Sequence, residues 1–207
     1  MRLVNLLNHI PKFATFLVIF FVTGCLADPV AHRPQREIAA SQSAKFQKDI
    51  ESLAEEGDWI VTRGYHTGDV LVANATGIPI SHTGIYDRER RQVIEADAGG
   101  VHATDLSAFI EKSHRLIVIR PRWSTPQSRR PAILRARELI GKSYDYLGTI
   151  GFDSPSRFYC SELAVEIYRP WHTSADRLPD VIKPAELYLW GKILYDSLPR
   201  DQIGTAP

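Results

Sequence analysis

The sequence predicts an α+β domain in which a mainly antiparallel sheet packs against helices. Three observations support this class. The chain has 207 residues, enough for one domain with its own hydrophobic core. Its composition, 44% hydrophobic and 24% charged, is typical of a packed domain and argues against disorder, collagen and multispan membrane proteins. One amphipathic helix comes first, and short strand-like runs and further helices follow it.

The first predicted element is an amphipathic helix over residues 35–56, ended by Gly57. Its apolar residues recur at mostly helical spacing among polar ones. They are Ile38, Ala39, Phe46, Ile50 and Leu53.

Five short runs rich in β-branched and aromatic residues follow, separated by Gly, Pro or charged turns. We expect them to form one mainly antiparallel sheet. The predicted strands are residues 58–62, 70–73, 83–87, 92–97 and 116–120.

Further helices are predicted later in the chain. Thr104 caps a short one that ends at residue 111, and Pro184 suits the first turn of one that runs to about residue 192. The other two cover residues 130–140 and 160–168. Residues 35–199 are therefore predicted to form one folded domain, and residues 200–207 a flexible tail.

Residues 1–24 have the pattern of a bacterial secretion signal. Arg2 and Lys12 supply positive charge without any acid, and an apolar run over residues 13–22 follows them. This run is too short to cross a bilayer comfortably as a helix. The sequence Val22-Thr23-Gly24-Cys25 is similar to a lipobox, in which the leader is removed and the cysteine is acylated. A plain signal anchor is the alternative.

Lipid on Cys25 would attach the protein to the bacterial cell envelope, with residues 25–34 as its lipidated terminus and tether. The membrane would then be a partner. Leu26 stands where an aspartate would favour retention at the inner membrane, so the outer membrane facing the periplasm is expected in a Gram-negative cell. Without the leader the chain has 23 basic and 24 acidic side chains, which gives no support for nucleic-acid binding.

Acylation of Cys25 would leave Cys160 as the only thiol, without a disulfide partner in the chain. Cys160 opens a predicted helix whose apolar stripe includes Leu163, Ala164 and Ile167. The unpaired N–H groups at a helix start favour a thiolate and can stabilise an oxyanion. The alternative is a buried structural thiol.

A nucleophilic cysteine needs a base, and His82 stands at the entrance to a predicted strand, two residues before Gly84. The next predicted strand contains Glu95, and a hairpin through residues 87–91 would bring that carboxylate beside the strand of His82. A carboxylate there could orient the imidazole. Alternatively, His82 is an isolated histidine and Glu95 pairs with an arginine. The other histidines after the leader are His32, His66, His102, His114 and His172.

The sequence predicts neither a metal nor an organic cofactor. It has no His-Glu-x-x-His, no close histidine pair and no paired cysteines. The glycine patterns of phosphate and dinucleotide loops are absent, as is the Gly-x-Ser-x-Gly turn of serine hydrolases.

Several short motifs follow one another along the chain. They are Gly68-Asp69-Val70 leading to Ser81-His82-Thr83-Gly84, then Val93-Ile94-Glu95-Ala96, Gly141-Lys142-Ser143-Tyr144-Asp145 and Tyr159-Cys160-Ser161-Glu162. With these motifs, residues 57–190 resemble the YiiX-like branch of the permuted NlpC/P60 hydrolases. In this branch the histidine precedes the cysteine, the reverse of ordinary papain-like enzymes, and the order here is the same. The start of the match has two alternatives, Gly68-Asp69 or Gly57-Asp58.

The resemblance implies a circularly permuted papain-like fold and a cysteine hydrolase that works through a thioester, without metal or cofactor. Cys160 would be the nucleophile, His82 the general base and acid, and Glu95 the residue that orients His82. Tyr144 and Asp145 would lie near the cleft and bind substrate, and packing between a helix and a loop is the alternative role for both.

The expected reaction is cleavage of an amide bond, as a peptidase or amidase acting on cell-wall peptides. A lipid-directed acyltransferase or thioesterase on the same fold is one alternative. The other is an envelope binding module without turnover.

Overall fold

The computed structural model of this protein describes residues 31–152 and 154–203. The predicted leader, Cys25 and residues 25–30 of the predicted tether lie outside these ranges. No helix within them is both long and apolar enough to cross a membrane. The helices are α1 (Arg36–Leu53), α2 (Thr67–Thr76), α3 (Leu106–Glu111), α4 (Arg129–Glu138) and α5 (Cys160–Glu166). The strands are β1 (Trp59–Gly64), β2 (His82–Asp87), β3 (Gln92–Asp97), β4 (Gly100–Asp105), β5 (Ser113–Pro121) and β6 (Gly191–Asp196). Three 3₁₀ segments cover Gly148–Ile150, Arg169–Trp171 and Pro184–Trp190.

The strands form one antiparallel sheet in the order β4-β3-β2-β1-β5-β6, which confirms the predicted α+β class. Both faces of this sheet are covered. Trp59 and Val61 of β1 belong to a core cluster that includes residues of α4 and α5, whereas Ile60 belongs to one that includes residues of α1 and α3. Successive side chains of a strand point to opposite faces, so helices on both sides bury every residue of β1.

The predicted strand over residues 70–73 is wrong, because these residues belong to α2. Its valines favour a strand, but the carboxylate of Asp69 accepts a hydrogen bond from the backbone N–H of His66 and stabilises the first turn of a helix. Gly77 ends this helix in the left-handed conformation, with φ of 69°. Gly68-Asp69 therefore lies in a helix, and Gly57-Asp58 is the pair that precedes a strand.

Strands β4 and β6 are absent from the sequence prediction. Strand β4 pairs with β3, and β6 pairs with β5 at the other side of the sheet. The helix predicted from Pro184 to about residue 192 is a 3₁₀ segment that ends at Trp190. Strand β6 begins at the next residue, Gly191. Pairing with a neighbouring strand decides such segments more than local propensity does.

The predicted flexible tail begins too early. Arg200 is 3% exposed and donates hydrogen bonds to the backbone oxygens of Ser113, Ile110 and Ala39. Arg200 is thus part of the packed domain. A buried guanidinium is stable only when it is hydrogen-bonded, and the acceptors here are backbone oxygens of the domain.

Candidate active site

Cys160 is the first residue of α5 and is 7% exposed. The apolar side of α5 packs in the core, where Leu163 and Ala164 are buried. The indole N–H of Trp59 in β1 donates to the backbone oxygen of Ala164 over 2.8 Å. The sheet therefore fixes the position of this helix and of the thiol at its start.

The structure places His82 between Cys160 and Glu95. The side chains of Cys160 and His82 interact, and both line the same cleft. Imidazole Nε2 of His82 lies 2.7 Å from Oε2 of Glu95. The ring of Phe109 packs against the imidazole, with 6.2 Å between the ring centroids. The three residues proposed from sequence thus lie together.

The register of β2 and β3 explains how Glu95 reaches His82. Gly84 lies directly opposite Glu95, so the carboxylate reaches diagonally to His82, two residues along β2. A Cβ atom at Gly84 would lie 2.3 Å from Cγ1 of Val93 and 3.4 Å from Cβ of Glu95. A side chain at this position would therefore clash with Val93, in the strand that carries Glu95.

The second oxygen of Glu95 has three further partners, which the sequence analysis missed. Thr104 Oγ1 donates to Oε1 over 2.5 Å, Lys112 Nζ donates over 3.4 Å, and His102 Nε2 lies 3.5 Å away. His102 stands directly opposite Glu95 in the register of β3 and β4. If β4 had been predicted from the sequence, its pairing with β3 would have placed His102 opposite Glu95.

Burial and the contacts with neighbouring side chains shift the pKa of each of the three residues in opposite directions. Burial raises the pKa of the Cys160 thiol, but hydrogen bonding and attraction to His82 bring it below its ordinary value. Burial lowers the pKa of His82, but Cys160 and Glu95 raise it to about 10. Burial raises the pKa of Glu95, but His82 lowers it to about 2. The arrangement favours a thiolate beside an imidazolium, with an ionised Glu95 behind it.

These residues line a cleft of about 820 Å³. Residues of α2 form one part of its wall, Tyr144 and Thr149 another, and residues 181–184 a third. Its size is that of a small-molecule or peptide site. Residues Val72, Ala75, Phe109, Val181, Ile182 and Pro184 give the lining an apolar part.

The two predicted substrate-binding residues have different surroundings. Tyr144 lines the cleft, and burial and the nearby Cys160 raise its pKa. Asp145 is 2% exposed, and its carboxylate accepts hydrogen bonds from the backbone N–H groups of Gly148 and Ser154. The prediction for Asp145 is therefore corrected: its side chain stabilises the loop after Tyr144 and does not line the cleft.

Tyr159 and Ser161 stand in a motif quoted in the sequence analysis, which assigned them no role. The hydroxyl of Tyr159 accepts a hydrogen bond from the backbone N–H of Ile182 over 2.9 Å, and the hydroxyl of Ser161 donates to the backbone oxygen of Ile182 over 2.6 Å. The residues on both sides of Cys160 thus hold the cleft wall at residues 181–184. The contacts join distant parts of the chain, and no local sequence pattern indicates them.

Within residues 31–152 and 154–203, no group of three or more His, Cys, Asp or Glu side chains is placed to hold a metal ion. The site described above depends on a thiol, an imidazole and a carboxylate.

Comparisons with known proteins agree with the resemblance seen in the sequence. A family model described as a permuted papain-like amidase enzyme, YaeF/YiiX, C92 family, matches residues 59–178. No curated protein matches the chain. Among solved structures, YiiX from Escherichia coli O157:H7, described as a metalloprotein, is 26% identical with a TM-score of 0.49. The alignment covers 57% of this chain and 66% of that chain, slightly less than two thirds of its length.

The match to the family model includes every strand from β1 to β5 and the residues His82, Glu95 and Cys160. It spans more than half of the chain. The chain belongs to the C92 family of permuted papain-like amidases.

Proposed function

We propose that this protein is a lipid-anchored hydrolase of the bacterial cell envelope that cleaves an amide bond through Cys160, His82 and Glu95. One observation supports this most directly: the imidazole of His82 is hydrogen-bonded to the carboxylate of Glu95 and interacts with the thiol of Cys160, and all three residues line one cleft. A nucleophile, a base and a group that orients the base are the parts that covalent acyl transfer needs.

In the proposed reaction the Cys160 thiolate attacks the amide carbonyl and forms a tetrahedral intermediate. Backbone N–H groups at the start of α5 stabilise its oxyanion. His82 donates its proton to the leaving nitrogen, the C–N bond breaks, and a thioester remains. His82 then accepts a proton from water, which attacks the thioester and releases the acid and the Cys160 thiolate. Glu95 stabilises the imidazolium at each step.

Cys25 is the proposed site of lipid attachment, since it follows a leader with a lipobox-like end. The anchor would place the cleft within reach of cell-wall peptides, and this is why we favour an amide of such a peptide as substrate.

A lipid acyl group is the second candidate substrate, as for an acyltransferase or thioesterase. The apolar part of the cleft lining, which includes Val72, Phe109 and Ile182, favours it. Product analysis on muropeptides and on phospholipids separates the two. Turnover of lipid alone would exclude the amidase.

The test of the site is the rate of iodoacetamide alkylation of Cys160 as a function of pH, measured on the purified full chain. Mass spectrometry of the peptide that contains Cys160 separates its labelling from that of Cys25. We expect fast alkylation well below pH 8, because His82 lowers the pKa of the thiol. His82→Ala should slow alkylation at pH 7 by about tenfold or more, since an ordinary thiol is only a few per cent thiolate there.

His66→Ala is the matched control, because His66 lines the same cleft. It should leave the alkylation rate unchanged. Slow alkylation with an ordinary thiol titration in the wild type would contradict the proposed activation and favour a binding module without turnover.

A further inference from the structure

One loop beside the cleft exposes an unusual number of large apolar side chains. The exposed fractions are 60% for Tyr146, 58% for Leu147, 66% for Ile150 and 69% for Phe152. We call residues 146–152 the apolar loop. Large contiguous apolar patches are rare on soluble monomers and mark sites of interaction with proteins or membranes.

The backbone of the apolar loop has a defined shape. Asp145 accepts a hydrogen bond from the N–H of Gly148 over 2.9 Å, and the hydroxyl of Thr149 donates to the oxygen of Tyr146 over 2.6 Å. Gly151 has φ of 91°, which a glycine adopts without strain. The exposed side chains are thus presented by an ordered turn.

The apolar loop is also part of the cleft wall. Thr149 lines the cleft, and the ring of Tyr146 packs against that of Tyr144 with 4.8 Å between centroids. The hydroxyl of Tyr146 donates to the backbone oxygen of Ala98, another residue of the lining. Helix α2, which lines the cleft as well, exposes 66% of Leu71. A surface that covers the apolar loop would therefore lie close to the cleft.

Two basic residues stand at the base of the apolar loop. Ser143 and Arg157 form a β-bridge at the base of the loop, and Lys142 directly precedes Ser143 in the chain. Lys142 and Arg157 are both exposed. An apolar tip with basic residues behind it matches the order of acyl chains and acidic headgroups in an anionic bilayer.

We propose that the apolar loop inserts into the interface of an anionic lipid bilayer, with Lys142 and Arg157 on the headgroups, so that the cleft lies at the membrane surface. Tyr146 suits this location because its ring is apolar and its hydroxyl polar. The proposal depends on the proposed envelope anchor only for bringing the domain near a membrane. It does not depend on catalysis.

The test introduces a tryptophan as a depth probe. The full chain with Phe152→Trp is mixed with vesicles of phosphatidylglycerol and phosphatidylcholine in equal parts, with and without bromine on the acyl chains. Ile193→Trp is the matched control, since Ile193 is also half-exposed but lies on edge strand β6. The fluorescence of the introduced tryptophan is the difference between the variant and wild-type spectra. Brominated vesicles should quench more than half of this fluorescence for Phe152→Trp. They should leave it unchanged for Ile193→Trp.

Adding Lys142→Glu and Arg157→Glu to Phe152→Trp should reduce this quenching to the level of the control. Circular dichroism and the alkylation rate of Cys160 check that the variants fold. If Phe152→Trp and Ile193→Trp are quenched equally, or if neither is quenched, the apolar loop does not enter the bilayer and the proposal is wrong. In the second case a protein partner becomes the explanation for the exposed surface. Failure of the hydrolase assay alone leaves the quenching result in place, so the two proposals fail separately.

Discussion

Burial by itself would keep both Cys160 and His82 neutral, because a charge loses its hydration inside a protein. Their contact with each other, and that of His82 with Glu95, reverses this for both groups. The thiolate and imidazolium coexist between the lowered pKa of Cys160 and the pKa of His82 near 10. Glu95, with a pKa of about 2, is ionised across this whole range.

Glu95→Gln tests this arrangement at the residue scale. The substitution removes the negative charge that favours the imidazolium, so the pKa of His82 should fall and that of Cys160 should rise. The acid limit of fast Cys160 alkylation should therefore move to higher pH, and the alkaline limit of kcat/KM, where His82 loses the proton for the leaving group, should move to lower pH. We expect kcat/KM for the amide substrate to fall by about 10²–10⁴.

Glu138→Gln, at an exposed position in α4, is the control and should leave both measurements unchanged. An unaltered alkaline limit of kcat/KM in Glu95→Gln would show that the carboxylate does not control the proton on His82.

At the scale of elements, helix α2 shows how one side chain can position a wall of the cleft. Asp69 accepts from the backbone N–H of His66 over 2.9 Å and from the hydroxyl of Ser81 over 2.5 Å. Ser81 in turn accepts from the backbone N–H of Gly64. A single carboxylate therefore begins α2 and joins it to the sheet next to His82.

Asp69→Ala should release the start of α2 at a cost of about 0.5–2 kcal/mol, the usual effect of losing a helix cap. Because α2 forms part of the cleft wall and contains none of Cys160, His82 and Glu95, we expect KM to rise more than kcat falls. Hydrogen exchange should become faster in residues 67–76. Asp105→Ala is the control, since Asp105 begins α3 without a capping hydrogen bond. Equal exchange in α2 of both variants would contradict this role of Asp69.

At the scale of the whole molecule, the ends of the domain meet on one face of the sheet. Arg200 donates to Ala39 and Ser43 of α1, to Ile110 of α3 and to Ser113 of β5. Helix α3 contributes Phe109 to the site, so the same contacts support the surroundings of His82.

Arg200→Ala should lower the free energy of unfolding by about 2–4 kcal/mol, because several buried acceptors lose a charged donor at once. Denaturant unfolding of the full chain measures this loss. The control, Arg90→Ala in the exposed turn between β2 and β3, should change it by less than about 0.5 kcal/mol. A similarly small change for Arg200→Ala would mean that the last residues are as dispensable as the flexible tail predicted from sequence.

Features that depend on nearby residues could be predicted from the amino-acid sequence. The amphipathic periodicity before Gly57 predicts α1, and the turn after Asp87 predicts the hairpin of β2 and β3 that brings Glu95 beside His82. The order of the motifs around His82, Glu95 and Cys160 indicated the family. These signals are local or lie in short motifs, so a single sequence contains them.

Features that depend on residues distant in the sequence were decided only by the tertiary structure. Strand β6 exists because β5 provides a free edge, and β4 places His102 and Thr104 on Glu95 only through its register with β3. Asp145 lies within a family motif, yet backbone N–H groups several residues away occupy its carboxylate. A lone residue pattern does not show which hydrogen-bonding groups the fold will bring together, and this is why the surroundings of the site could not be predicted.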